Sequence, residues 1–267
     1  MIRKFAPGQS ASSSELPNRD IGSEVIVVHT SDVHVDHVYT AELHGGDGAG
    51  GLACVLNAAR GIGADVVLLA GDTFDCHRLP DELIDRTAAV IAAAGLPVVL
   101  LPGNHDPVLP EAVFHRKSLA AVPNLHIIGL THDEAIVFPS LDLEIWGRPH
   151  RDYSDMIPFE TVRARRTRWQ IATAHGHYVP TPDRVTRPRP SWLIGDDDIA
   201  ATAADYVALG HWNAPAKVGN GAVAAYYSGS PEFAGTFNVV RLGGPGGITV
   251  SREKLDIARD PYAVDLP

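Results

Sequence analysis

Five short stretches put Asp, His or Asn directly after an apolar run. Ile26–Thr30 leads through Ser31 into Asp32-Val33-His34, and Val66–Ala70 into Gly71-Asp72-Thr73-Phe74-Asp75. Val98–Leu101 leads through Pro102 and Gly103 into Asn104-His105-Asp106. Further on, Trp169–Ala174 ends in His175-Gly176-His177, and Tyr206–Leu209 in Gly210-His211-Trp212-Asn213. Side chains at the C-terminal ends of buried strands lie where open α/β sheets place their chemistry. Carboxylate, imidazole and amide donors together suit borderline divalent metals such as Mn, Fe or Zn. The set is neither the oxygen-only shell of a calcium site nor the thiolate shell of a structural zinc site. A carboxylate has two oxygens and can bridge two cations. Asp72, on what reads as a central strand, is the natural candidate. Two metals about 3.5–4 Å apart hold a hydroxide between them at neutral pH and clamp a phosphoryl oxygen for in-line attack.

The elements that must position these groups follow from the pattern between them. Strands are expected over 24–30, 66–70 and 97–101, with helices over 52–60 and 80–94. Pro80, Asp81 and Glu82 suit the start of the second helix and Gly95 its end. Residues 35–51 carry Gly45-Gly46 and Gly48-Ala49-Gly50-Gly51, which predict a flexible turn. A helix is expected over 111–121. The first half therefore reads βαβαβα with parallel pairing. Short strands over 125–128, 134–138 and 143–147 then suggest a meander. Residues 153–168 read as helical with a basic cluster, Arg163, Arg165, Arg166 and Arg168. Asp196-Asp197-Asp198 is expected to open a short helix, and 222–227, 236–242 and 248–252 to form hairpins. Residues 1–23, rich in Ser, Pro and Asn, read as a flexible lead-in, and 24–267 as one domain.

Composition narrows the classes. The chain has 267 residues and is 45% apolar, ample for a core, and its formal charge of −10 disfavours a non-specific nucleic-acid binder. Its two cysteines, Cys54 and Cys76, make no disulfide framework. No apolar run reaches the roughly 18 residues of a membrane span, and Arg3-Lys4 have no apolar segment behind them, so a cytoplasmic protein is expected. The absence of Gly-Lys-Ser/Thr argues against a P-loop.

The order of motifs, Asp-Val-His, Gly-Asp-Thr-Phe-Asp, Gly-Asn-His-Asp, His-Gly-His and Gly-His-Trp-Asn, resembles the calcineurin-like metallophosphoesterase superfamily. The text around Val28–His34 and Asp205–His211, with Tyr227-Ser228-Gly229-Ser230-Pro231-Glu232, is most similar to its SbcD-like branch, the nucleases of DNA double-strand-break repair. The likeness runs from about Ile26 to Glu232. It implies an α/β fold, a four-layer α-β-β-α sandwich with mixed sheets, and two divalent metal ions, Mn first with Fe or Zn as alternatives. Asp32 and His34 would hold the first metal, Asp72 would bridge, and Asn104, His175 and His211 would hold the second. His105 would protonate the leaving oxygen, with Asp106 orienting it. One position departs. Family members usually carry Gly-His-x-His, whose last His completes the first metal site, and here that position is Asn213. An amide oxygen binds metal more weakly than imidazole, so a looser first site is expected. His177 is placed near the substrate.

The resemblance implies a phosphoester hydrolase, as a phosphodiesterase using the metal-bridging hydroxide. A DNA nuclease is the narrower alternative. It is weakened by the acidic balance and by the lack of room for a separate capping domain after the sandwich, although Arg184, Arg187 and Arg189 join the basic cluster. A non-catalytic metal-binding scaffold is the alternative of another class. The expected partner is a phosphoester substrate, with nucleotides or nucleic acid as its organic part, and not a membrane. Oligomeric state is left open. Simpler roles are expected elsewhere. His29 should pack in the core and Asp75 should stabilise its own loop. His37, His44, His77, His115, His126, His132 and His150 should be surface or loop residues.

Overall fold

The computed structural model describes residues 24–185, 190–243 and 247–257. The lead-in over 1–23 and the arginines at 187 and 189 lie outside them. Twelve strands are present among the described residues: β1 (Val25–Thr30), β2 (Val66–Ala70), β3 (Val98–Leu101), β4 (Leu125–Ile127), β5 (Ala135–Phe138), β6 (Leu143–Gly147), β7 (Trp169–His175), β8 (Tyr206–Gly210), β9 (Ala216–Val218), β10 (Ala224–Tyr227), β11 (Thr236–Leu242) and β12 (Ile248–Lys254). The helices are α1 (Val38–Leu43), α2 (Gly50–Gly61), α3 (Asp81–Ala94), α4 (Lys117–Ala120), α5 (Asp196–Ala201) and α6 (Pro231–Ala234).

Two six-stranded mixed sheets form, in the orders β12-β11-β1-β2-β3-β4 and β5-β6-β7-β8-β10-β9. The alternation of each central strand sends successive side chains into different apolar layers. Val28, Val67, Leu69, Val98 and Leu100 pack with Leu52, Val55, Ile84 and Ile91 of α2 and α3. Their neighbours Val27, Leu68 and Val99 meet Ile145, Ile171 and Ala208 of the second sheet. On that sheet's far side, Ala172, Ala174, Val207 and Leu209 pack with Ile194 and Ile199. Three apolar layers separate four layers of structure, so the α-β-β-α sandwich is present. Each fully buried aliphatic side chain in them contributes about 1.5–3 kcal/mol.

β1 to β4 run parallel, as the βαβ pattern requires. α3 starts after Pro80 and closes on Gly95 at φ 66°, as its end residues predict. Four expectations need correcting. The strands over 125–147 make no continuous meander: β5 and β6 pair antiparallel, but β4 joins the first sheet parallel to β3, and β6 continues into parallel β7 and β8. Within 35–51, Val38–Leu43 is helical, and Gly50 and Gly51 open α2. Residues 111–121 break into a single 3₁₀ turn, Val113–His115, and the four-residue α4. Residues 153–168 contain no helix. Pro158 interrupts that stretch, and three of the four clustered arginines reach distant acids, while Arg168 lies over the Trp169 ring. Arg165 meets Asp205 at 2.7 Å, Arg163 lies 3.6 Å from Glu144, and Arg166 also pairs with Glu144.

His29 is fully buried, its Nδ1 2.9 Å from the Tyr206 hydroxyl. Burial pushes its pKa down to about 3. The folded state therefore refuses a proton that the unfolded chain takes up below about pH 6.5, so stability is lost as pH falls from there towards 3. A thermal-unfolding series over that range should show a shallower acid slope in His29→Gln. The difference should approach about 1.4 kcal/mol per pH unit. Equal slopes would mean that His29 is not buried neutral.

Candidate metal centre

All five motif stretches leave their strands at one edge. The first three follow β1, β2 and β3 of one sheet, and the last two end β7 and follow β8 of the other. The turns that carry them are strained. Asp32 (φ 52°), His34 (φ 43°), Asp72 (φ 51°) and His211 (φ 106°) account for four of the seven described non-glycine residues with positive φ. Such conformations cost free energy and concentrate where function over-determines the backbone. Backbone hydrogen bonds hold the turns together: Asp32 N donates to Gly71 O at 3.0 Å and His34 N to Asp72 O at 3.2 Å. Glycines make the close approach feasible. A Cβ on Gly71 (φ 98°) would lie 2.0 Å from His175 Nδ1, and one on Gly103 2.2 Å from Asp72 Oδ1.

Asp72 is the shared member of two groups of converging donors. One group is Asp32, His34 and Asp72, and the other is Asp72, His175 and His211; within each, the donor atoms lie within 4.8 Å of one another. Asn104 joins the second, its Oδ1 3.1 Å from both His175 Nε2 and His211 Nδ1. His175 Nδ1 lies 2.9 Å from the Ala70 carbonyl oxygen, so Nδ1–H donates there and Nε2 is left to face Asp72 Oδ2 at 3.0 Å. Backbone donors fix both carboxylates: His211 N to Asp32 Oδ2 at 3.0 Å, and His105 N to Asp72 Oδ1 at 3.0 Å.

The electrostatics favour positive charge here. Burial alone would raise the Asp72 carboxyl, but the His175 ring outweighs it and holds Asp72 well below the usual carboxylate range. Burial would likewise lower His175, yet the Asp72 charge pushes it up to about 9. Burial, aided by the His175 charge, lowers His211 to about 4. Burial also raises Asp32. A buried carboxylate pair ringed by imidazoles is a cluster that a cation stabilises. The donor types and their convergence thus fit divalent metal ions.

The remaining expected residues fall differently. Asp106 is fully buried, but it does not touch the His105 ring. It accepts backbone N–H bonds from Thr73 (2.9 Å), Phe74 (3.1 Å) and Gly103 (2.7 Å), so it braces the Asp72 turn against the Asn104 turn. Burial, reinforced by the Asp72 charge, raises its carboxyl to about 7 despite those donors. The carboxylate that does meet His105 is Asp75, at 2.9 Å from Nδ1; the same oxygen lies 3.2 Å from His34 Nδ1. Asp75, read from sequence as a loop residue, therefore belongs to the site. Its place three residues after Asp72 was the available signal. Asp75 N in turn donates to Asp36 Oδ1 at 2.6 Å.

His105 is half exposed. Asn213 lines a cavity of about 330 Å³ together with Asp32, His34, Asp75 and His105. His177 sits beside His211 with ring centroids 6.2 Å apart, its Nδ1 accepting from Trp212 Nε1 at 3.0 Å. His150, expected to be a surface or loop residue, lies in a loop and is buried, its Nε2 donating to the His175 carbonyl oxygen at 2.8 Å. His77 is also buried, its Nδ1 accepting from Val113 N. Trp192, which the sequence did not single out, packs its ring against His150 and His211 with centroids 5.2 and 5.9 Å away.

Asp72 presses against Gly103, and this gives a test. Gly103→Ala is expected to weaken Mn binding about 10–100-fold, measured by metal titration, because the methyl group must displace the Asp72 carboxylate. Unchanged affinity would show that Asp72 can move without consequence.

The family model for calcineurin-like phosphoesterase matches residues 26–243, and the chain belongs to that family. It is accordingly a metal-dependent phosphoester hydrolase by family, which implies divalent metal ions at the Asp/His groups. The fold is similar to the crystal structure of TT1561 of Thermus thermophilus, with a TM-score of 0.55 at 12% identity over 87% of this chain and 99% of that one. A second solved structure aligns with a TM-score of 0.52 at 12% identity, over 88% of this chain and all of the other. At such identities the likeness concerns the fold alone. No curated protein matches the sequence. Among the described residues no helix is long and apolar enough to cross a membrane.

Proposed function

We propose that the protein is a two-metal phosphodiesterase. The observation that carries this reading is Asp72, shared between a group with Asp32 and His34 and a group with His175 and His211. In it, Asp32, His34 and Asp72 hold one cation, with Asn213 beside them on the cavity wall. Asp72, Asn104, His175 and His211 hold the other. Mn is the first choice for such a donor set, with Fe or Zn as alternatives. When bound, the pair supplies an activated water and positive charge for the phosphoryl oxygens. The chain's own groups do the rest. His105, exposed to the cavity and paired with Asp75, gives a proton to the leaving oxygen. Asp106 keeps the Asp72 and Asn104 turns in register, and His150 holds the His175 strand end.

The diester preference rests on charge. No lysine or arginine is among the described lining residues of the cavity, so the second charge of a dianionic monoester finds no cationic side chain there. The nuclease alternative loses support from the cluster over 163–168, three of whose four arginines are engaged with Glu144 and Asp205. Two cysteines without a disulfide suit the expected cytoplasmic setting. The test is hydrolysis of bis-p-nitrophenyl phosphate beside p-nitrophenyl phosphate, after metal stripping and Mn addition. Mn-dependent turnover of the diester at higher kcat/KM is expected. Preference for the monoester would overturn the diester assignment, and metal binding without turnover would favour the scaffold.

A further inference from the structure

The cavity beside His105 has a second wall that the metal chemistry leaves unused. It is made by Tyr39 and Thr40 of α1 and by Ser230, Glu232 and Phe233 at α6, with His37 on the rim. Two features define what can sit there. The first is size: about 330 Å³ is at the small end of ligand pockets, which span about 300–1,000 Å³, so one compact organic group fills the α1–α6 side. The second is charge. No lysine or arginine is among its described lining residues, and on the α1–α6 side its one carboxyl, Glu232, is raised by burial to about 7. A phosphate on the bound group would find no guanidinium or ammonium partner on that wall.

The polar wall is suited to a neutral, donor-bearing group. Glu232 is buried with its Oε1 against Gly51 and 3.4 Å from His44 Nε2, which anchors α6 to the turn before α2. Thr40 and Ser230 add hydroxyls, which donate or accept. Tyr39 and Phe233 add aromatic surface, against which a planar ring stacks. His105 opens onto the same space, so the group that departs with the leaving oxygen is the one this wall meets.

We infer that the α1–α6 wall of the cavity is a leaving-group subsite for an uncharged nucleoside. It selects diesters whose departing half carries no further phosphate. This deepens the phosphodiesterase reading and rests on it. It also assigns a substrate class: dinucleoside monophosphates and similar small diesters, whose departing half is neutral, in place of polynucleotide interiors.

The test has two arms. In the first, thymidine is titrated calorimetrically into the metal-free protein. Saturable binding at one site is expected, weakened about ten-fold or more in Phe233→Ala through loss of stacking. In the second, kcat/KM with Mn is compared for thymidylyl-(3′→5′)-thymidine and for the same dinucleotide bearing a terminal phosphate on its departing nucleoside. The extra phosphate is expected to lower kcat/KM at least about ten-fold, and His37→Arg, adding a cation at the exposed rim, should narrow that gap. Equal values for the two dinucleotides, or preference for the phosphorylated one, would overturn the subsite. So would thymidine that fails to bind while bis-p-nitrophenyl phosphate is still hydrolysed. If no ester is hydrolysed but thymidine binds in a Phe233-dependent way, the phosphodiesterase reading fails while the nucleoside site stands.

Discussion

Asp72→Asn is expected to lower kcat/KM for bis-p-nitrophenyl phosphate by about 10³-fold or more, equivalent to about 4 kcal/mol of transition-state stabilisation. No other described residue belongs both to the group with Asp32 and His34 and to the group with His175 and His211. Asparagine keeps the shape and one oxygen, but removes the charge and the second anionic donor. Both cation positions are therefore weakened at once. The fold should survive the change. In the metal-free protein the Asp72 charge pushes His175 up to about 9. Once that charge is gone, burial favours the neutral ring, so no unpaired buried cation is left behind. Circular dichroism should match the parent while turnover collapses. Activity within ten-fold of the parent would mean that Asp72 is not the shared ligand.

His105→Ala is expected to act differently. General-acid assistance contributes about 10²–10⁴-fold, and it matters most when the leaving oxygen is basic. Hydrolysis of a dinucleoside monophosphate, which releases an alkoxide, should fall by that amount. Release of p-nitrophenolate, which needs no proton, should fall far less. Mn content should be unchanged, because in this account His105 faces the substrate and Asp75 rather than a cation. If Mn content fell with activity, His105 would instead belong to a metal site made with His34 and Asp75, whose donor atoms also cluster. Asp75→Asn should show the same leaving-group dependence at about 10–100-fold through the His105 ring, with Mn affinity also reduced because the same oxygen meets His34.

The strand ends were legible because two signals coincide there. An apolar run marks a buried strand, and a Gly followed by a polar residue marks its exit. Asp32, Asp72, Asn104, His175 and His211 all sit where such a run gives way to polar residues, and all are brought together. What the chain order hides is which side chain turns to which. Asp106 and Asp75 are both aspartates that close a motif. Only the turn geometry decides that Asp106 faces three backbone N–H groups while Asp75 faces the His105 ring.

The misread helix over 153–168 shows the other limit. Arg163, Arg165 and Arg166 find carboxylates that lie far away in sequence, Glu144 and Asp205, and those ion pairs override local propensity. The parallel arrangement of β6, β7 and β8 was hidden for a related reason. The crossover from β6 to β7 contains no regular helix, so nothing in the periodicity distinguished it from a meander. His150 sits in that same crossover, and its burial against His175 could be seen only once β6 and β7 were paired.

The most direct test of the two-metal account is an electron paramagnetic resonance titration of the metal-free protein with Mn, alongside total Mn per chain. A centre in which Asp72 joins two sites should bind two Mn per chain and show an exchange-coupled spectrum. Asp72→Asn should abolish that coupling. One uncoupled Mn per chain in the parent protein, or a coupled pair that persists without the Asp72 carboxylate, would contradict the account.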